Sequence, residues 1–313
     1  MLKNFKYPLI ALVLSTSAYA DIADTTYQGL ISKSLFTSNN LHLQTGWYDF
    51  DKTNGDTPEL SNANFVGSYY FGEMGDKYRP FIQGGFGLSK IEQDDTDLNR
   101  GGSLDDIEFD SMYYKIGLGC NFNPYENVGF VLGASAMFMN SDDGNFHPQI
   151  PLSNSSYDKK VNQLFNQESD SEIYDVYGSI VYHPTISGYN TQFDATLHYI
   201  DMEYDHDIDN IDGFNLDLRA AIHTHELTTL MDLPVWMEFY TAAVLVDSDL
   251  SDVVEFDSAL SAGLSVHWKV GPMIHIFNDA FKDVDLSANL QGTVSNTDFE
   301  GWKASLSFHL LKF

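Results

Sequence analysis

"FDSALSAGLSVHWKV" occupies residues 256–270. Its even positions are Phe256, Ser258, Leu260, Ala262, Leu264, Val266, Trp268 and Val270, and all but Ser258 are apolar. Its odd positions are Asp257, Ala259, Ser261, Gly263, Ser265, His267 and Lys269, with no large apolar side chain among them. Successive side chains of a strand point to opposite faces. This is a strand with one greasy face and one wet face, and it is longer than the roughly 5–6 residues usual in soluble sheets. The same alternation sets Val284, Leu286, Ala288, Leu290 and Val294 against Asp285, Ser287, Asn289, Gln291, Thr293 and Ser295. It also sets Phe214, Leu216, Leu218, Ala220 and Ile222 against Asn215, Asp217, Arg219, Ala221, His223 and His225.

Working outward, the pattern predicts strands over 39–48, 62–71, 79–91, 111–122, 128–140, 173–182, 190–200, 213–225, 235–246, 256–270, 284–297 and 302–313. The strand over 235–246 breaks the rule in places, since Trp236 and Val244 fall on the wet face. The connections divide into two kinds. Alternate ones (49–59, 92–110, 141–172, 201–212, 247–257, 298–300) hold 31 of the 45 acidic residues in 88 positions. The others hold 7 in 42, so acidic density is about twofold higher on one side, and a miscounted strand would scramble that contrast.

Lys3 and Lys6 precede an apolar run from Pro8 to Leu14, followed by Ala18-Tyr19-Ala20. A basic start, a short apolar run and an A-x-A site make a secretory signal peptide. Residues 1–20 are expected to be removed, leaving a short N-terminal segment over 21–38 ahead of the strands over 39–313. Without Lys3 and Lys6 there are 14 basic residues against 45 acidic ones, a net charge of −31. Nucleic acid is an unsuitable partner, because phosphate binding needs a basic surface. The single cysteine, Cys120, allows no intramolecular disulfide, and no later run of apolar residues is long enough for a transmembrane helix.

Two architectures alternate in this way. A soluble sandwich buries its apolar faces against each other, whereas a membrane barrel turns them to lipid and needs about 9–11 residues per crossing. Strand length, the signal peptide and aromatic residues near strand ends (Tyr174 and Tyr182 bracket Val176, Gly178 and Ile180) favour the second. The expected fold is therefore all-β: a closed antiparallel transmembrane β-barrel of about 12 strands, with ten or fourteen as alternatives. Long acidic loops face outside and short turns face the periplasm, as in outer-membrane barrels. Closure is required because bare strand edges are not tolerated in lipid.

The last residues, "WKASLSFHLLKF" (302–313), alternate Trp302, Ala304, Leu306, Phe308 and Leu310 with Lys303, Ser305, Ser307 and His309. This ending resembles the C-terminal strand that outer-membrane proteins present to the barrel-assembly machinery. Phe313 shares parity with the polar set, and a β-bulge near Leu310-Leu311 would re-aim its ring outward. The whole resembles a solitary, passenger-less autotransporter-type barrel domain of Gram-negative bacteria. The resemblance implies a twelve-stranded barrel over 39–313 in the cell outer membrane, with the segment over 21–38 in its lumen. Its expected surroundings are outer-membrane lipid, lipopolysaccharide and the assembly machinery, and a monomer is expected.

Parity assigns Lys115, Asp175, Asp194, Asp217, Arg219, Glu238, Lys269, Asp285 and Lys303 to the lumen. Charges there must pair or be solvated, and Asp217 and Arg219 can pair with each other or across strands. They read as a salt-bridged plug or as the lining of a small cation-favouring pore. His42, His223, His225, His267 and His309 fall on the wet faces near the periplasmic end, as polar filler, a metal site or a group that gains charge on acidification. In "DHDIDNIDG", Asp205, Asp207, Asp209 and Asp212 lack EF-hand spacing, so a solvated surface or weak divalent binding is expected. Gly84, Gly85 and Gly87 lie inside a strand, where they serve bending and close packing. Cys120 shares outward parity with Ile116, Leu118 and Phe122.

No His-x-Ser occurs, which removes the barrel-phospholipase pattern. Asp205-His206-Asp207 lies where omptin-type surface proteases keep Asp and His, without a second paired-Asp element. The expectation is a structural or surface-interaction barrel with no cofactor and no catalysis. A pore and an omptin-like protease are the alternatives. If lipid is the solvent for Leu264, Val266 and Leu286, the secreted protein sediments with membranes and dissolves only in detergent. Recovery in a detergent-free periplasmic extract overturns that reading.

Overall fold

The computed structural model describes residues 44–50, 59–72, 76–96, 105–142, 146, 148–149, 151–152, 155–165, 167–205, 209–247, 250, 257–269, 284–296 and 299–310. The expected signal peptide, the segment over 21–38 and His42 lie outside them. In chain order the elements are β1 (Gln44–Phe50), β2 (Glu59–Tyr70), β3 (Tyr78–Thr96), β4 (Asp105–Tyr125), β5 (Val128–Ser141), α1 (Ser156–Phe165), β6 (Ser169–Tyr182), β7 (Thr185–Ile186) and β8 (Tyr189–Tyr204). They continue as β9 (Ile211–His223), β10 (Thr228–Leu230), β11 (Leu233–Val246), β12 (Ser258–Lys269), β13 (Val284–Ser295) and β14 (Phe299–Leu310). Apart from the two short pieces β7 and β10, these are twelve strands at the places the alternation predicts.

All pairings are antiparallel, and each long strand lies beside its sequence neighbours. β8 pairs with β9, and β9 with β11. The last strand pairs with the first, from Gln44 opposite Ser305 to Phe50 opposite Phe299. Every long strand thus has a hydrogen-bonded neighbour on each side. A backbone group without a partner away from water costs several kcal/mol, and along Gln44–Asp49 of β1 pairing on both sides meets that demand. The expected bulge near Leu310-Leu311 falls beyond the described residues. Leu310 itself pairs with Val284.

One face of the sheet is exposed and apolar, and the other is buried. On β3 the exposed set includes Tyr78, Ile82, Phe86 and Leu88; on β4 it includes Met112, Tyr114, Ile116 and Leu118. Trp302 on β14 is 68% exposed. The inner face is paved differently. Lumen tyrosines lie flat over glycines of the adjoining strand: a Cβ on Gly87 would overlap the Tyr113 ring, one on Gly133 the Tyr177 ring, and one on Gly263 the Tyr240 ring. The close-packing reading of Gly87 is therefore what the geometry shows. Gly178, by contrast, has nothing near its absent Cβ.

The connection over 141–172 holds α1, which the alternation search did not reveal. Ser155 stands at its start, and the Asp158 N–H donates to Ser155 Oγ at 3.0 Å, the N-cap arrangement that satisfies an orphan helix donor. Val161, Leu164 and Phe165 face inward, and all three are fully buried.

Overfilling a packed site costs about 1–3 kcal/mol. Gly133→Val should therefore lower the urea midpoint of unfolding, while Gly178→Ala leaves it unchanged. Equal midpoints for both variants would show that the Tyr177 ring does not need the space.

Candidate functional site

The inner face has two zones. Towards the long connections it is apolar: Ile91, Ile107, Phe109, Met137, Met139, Ile173, Ile200 and Met202 point inward and are buried. Onto them pack Val161, Leu164 and Phe165 of α1, with Phe146 and Leu250. Phe165 is the centre of this cap, with ring centroids 5.9 Å from Phe109 and 6.0 Å from Phe146. Two carboxylates hold it in place. Asp105, fully buried at the start of β4, accepts the Gln149 N–H at 3.1 Å. Asp247 accepts the N–H of Phe214 at 2.8 Å and of Leu250 at 3.3 Å. Gly213 makes room for this, since a Cβ there would meet Asp247 and Leu250.

Beneath the cap the lumen is polar. The Asp175 carboxylate lies 2.9 Å from His198 Nδ1, and Asp217 lies 3.5 Å from His198 Nε2. A ring with carboxylates at both nitrogens satisfies both only by donating from both. The Tyr177 ring lies tilted beside it, centroids 5.5 Å apart. Lys115 is buried on β4, close enough to Asp175 for their charges to attract. Lower down, Arg219 Nη1 is 3.4 Å from Asp194, Nη2 pairs with Glu238, and the guanidinium sits 4.9 Å from the Tyr240 ring centroid. His223 approaches the other Glu238 oxygen at 3.4 Å. The Tyr240 hydroxyl lies 2.8 Å from Gln291 Oε1 and 3.0 Å from Asn289 Oδ1, and its single hydrogen is shared between them. Arg219 spans β8, β9 and β11, the strands that carry its partners.

Thus Asp175 and Asp217 converge on His198, with Lys115 near Asp175, and Asp194 and Glu238 converge on Arg219, with His223 on Glu238. Asp217 and Arg219 do not bond each other; each reaches across strands. Lys269, Asp285 and His309 hold successive cross-strand positions on β12, β13 and β14, while Lys303 pairs with Gln291 and Gly46. His267 stacks on Trp236 at 5.3 Å, and this pairing accommodates the tryptophan on the wet face. His225 stands elsewhere. Strand β9 ends at His223, the Thr224 N–H bonds Met237 O, and the Leu227 N–H bonds Val235 O. His225 and Glu226 bulge out between those bonds, and the His225 ring stacks on Tyr189 at 5.3 Å instead of entering the lumen.

Among the acidic-loop residues, Asp205 accepts the Asp170 N–H at 3.1 Å and Asp212 the Tyr199 hydroxyl at 2.9 Å. Asp209 is exposed, and Asp207 lies outside the described residues. Among the described residues no group of three or more His, Cys, Asp or Glu is arranged to hold a metal ion.

No family model matches the chain, and no curated protein matches it. Solved structures do. The β domain of the Bordetella autotransporter BrkA aligns with a TM-score of 0.54 at 8% identity, over 85% of this chain and 96% of that one. The transport unit of the autotransporter AIDA-I from Escherichia coli aligns with a TM-score of 0.51 at 10% identity, over 90% and 97%. The translocator domain of the autotransporter NalP from Neisseria meningitidis aligns with a TM-score of 0.50 at 10% identity, over 94% and 96%. This chain has the autotransporter-type barrel fold.

Within that autotransporter-type barrel, sequence reasoning missed two things. His198 sits at an inward position of its strand, with Asp194 and Thr196, and the same parity would have found it. The cap is signalled by a change of phase: apolar residues are even at Met112, Tyr114 and Ile116 but odd at Ile107 and Phe109.

An acceptor left buried and unpaired costs about 1–3 kcal/mol. Arg219→Met should destabilise the barrel by about that much in urea titration, since Asp194 and Glu238 lose their charged donor and keep only Gln192 and His223. Adding Glu238→Gln should restore part of the loss. An additive double mutant would mean that Arg219 acts by packing alone.

Proposed function

We propose that the chain is an integral outer-membrane β-barrel, closed by the pairing of β14 with β1. Its lumen is sealed towards the cell exterior, and it serves a structural or surface-interaction role without catalysis. The exposed apolar face is the lipid-facing wall. The long, acid-rich connections point outward, among lipopolysaccharide, and the short turns point to the periplasm. The terminal strand is the part offered to the assembly machinery.

The observation that carries the sealed reading is the cap. A layer in which Phe109, Val161, Leu164 and Phe165 are fully buried supports a lumen closed to water and ions. The paired charges beneath it favour the small pore only once α1 is gone, because they then line a polar passage.

Planar-bilayer recording separates the two readings. The refolded protein should show no stable steps in salt. Leu164→Asp with Phe165→Asp, which forces unpaired charge into the cap, should open it to discrete conductance. Stable steps from the unmodified protein would establish a pore instead.

A further inference from the structure

The short connections do not share one chemistry. The turn after β4 is Glu126-Asn127, and the one after β7 is Ser187-Gly188, with φ of 52° and 85°. That is the usual material of a two-residue hairpin whose central residues both need positive φ. The hairpin of β10 and β11 needs the same backbone, yet it is built from Met231 and Asp232, with φ of 55° and 63°. Left-handed backbone is disfavoured for a side chain such as methionine. Strain of this kind persists where the surroundings over-determine it.

Here they do. The Trp268 Nε1–H donates to Leu230 O at 3.1 Å, and the Leu227 N–H donates to Val235 O at 2.9 Å. The pinned tip is also greasy: Leu227, Leu230 and Met231 are 54%, 50% and 66% exposed. Its apolar surface has no break from the lipid-facing wall. Leu230 lies opposite Leu233, Val235 opposite Trp268, Met237 opposite Val266, and Phe239 between Ile222 and Leu264.

We infer that this hairpin is a membrane tab: Leu227, Leu230 and Met231 enter the periplasmic leaflet at the boundary between headgroups and acyl chains. The inference rests on the lipid-facing reading of the wall. Continuity with that wall selects lipid as the partner, and it locates the tab at the lower margin of the same surface. The exposed carboxylates of Glu226 and Asp232 limit the depth, because a charge stops at the headgroups while its apolar neighbours go below them. Methionine at the tip, in place of glycine, adds apolar surface at the point that reaches furthest.

The test uses single cysteines in a Cys120→Ser background, at Met231, at Leu227 and, as a wall control, at Leu218. Each carries an environment-sensitive fluorophore in the full chain, refolded into phosphatidylethanolamine–phosphatidylglycerol vesicles. One quencher is a phospholipid with a nitroxide near the headgroup end of its acyl chain, and the other is iodide in water. Labels at Leu218, Met231 and Leu227 should all lose most of their fluorescence to the lipid nitroxide and little to iodide. If the Leu218 label is quenched by lipid while the tip labels yield only to iodide, the tip stands free in water and the tab is overturned. Tip labels shielded from both quenchers overturn it too, since protein then covers the hairpin. A Leu218 label untouched by lipid removes the membrane reading itself, and the tab with it.

Discussion

Every main-chain N–H and C=O in hydrocarbon must find its partner inside the protein, because no water is there to serve. A helix does this alone; a sheet does it only by meeting itself. The pairing of Gln44–Phe50 with Phe299–Ser305 is therefore the contact on which the rest depends. In the membrane setting proposed for this chain, the two faces of each strand then have different solvents. Alternation of side chains, which in a soluble sheet separates core from water, would there separate lipid from lumen.

The two faces then exchange character along the strand. On β4 the outward residues run from Asp106 and Glu108 to Met112, Tyr114 and Ile116, while the inward ones run from Ile107 and Phe109 to Ser111, Tyr113 and Lys115. Outside, acid gives way to grease. Inside, grease gives way to charge below the cap. Both changes fall at the same height, so one register sets where the outer face turns apolar and where the inner face turns polar.

This exchange also decides how much could be read without coordinates. The strands were visible wherever one parity stayed apolar, as in Leu286, Ala288, Leu290 and Val294. The upper parts of β3, β4, β6 and β8 were trimmed because the parity flips at Ile91, Phe109, Ile173 and Ile200, and a rule seeking one greasy face stops there. Helix α1 was hidden for a related reason: its apolar residues Val161, Leu164 and Phe165 sit in a polar connection, and only their spacing of three and four marks a helix. The lumen charges were assigned by parity, but their partners needed register. Arg219 meets Asp194 and Glu238 because three strands align them, and His198 holds two carboxylates for the same reason. His225 was misplaced by a bulge, since one extra residue reverses every face beyond it.

The cap draws its residues from Ile91 to Ala259, and the Leu250 N–H that belongs to it donates to Asp247. Contacts so distant in sequence are entropically costly to close, because loop entropy must be overcome before they contribute. The sealed lumen proposed above therefore requires that the strands carrying these residues come together first: a stopper assembled from so many segments cannot precede the wall that holds it.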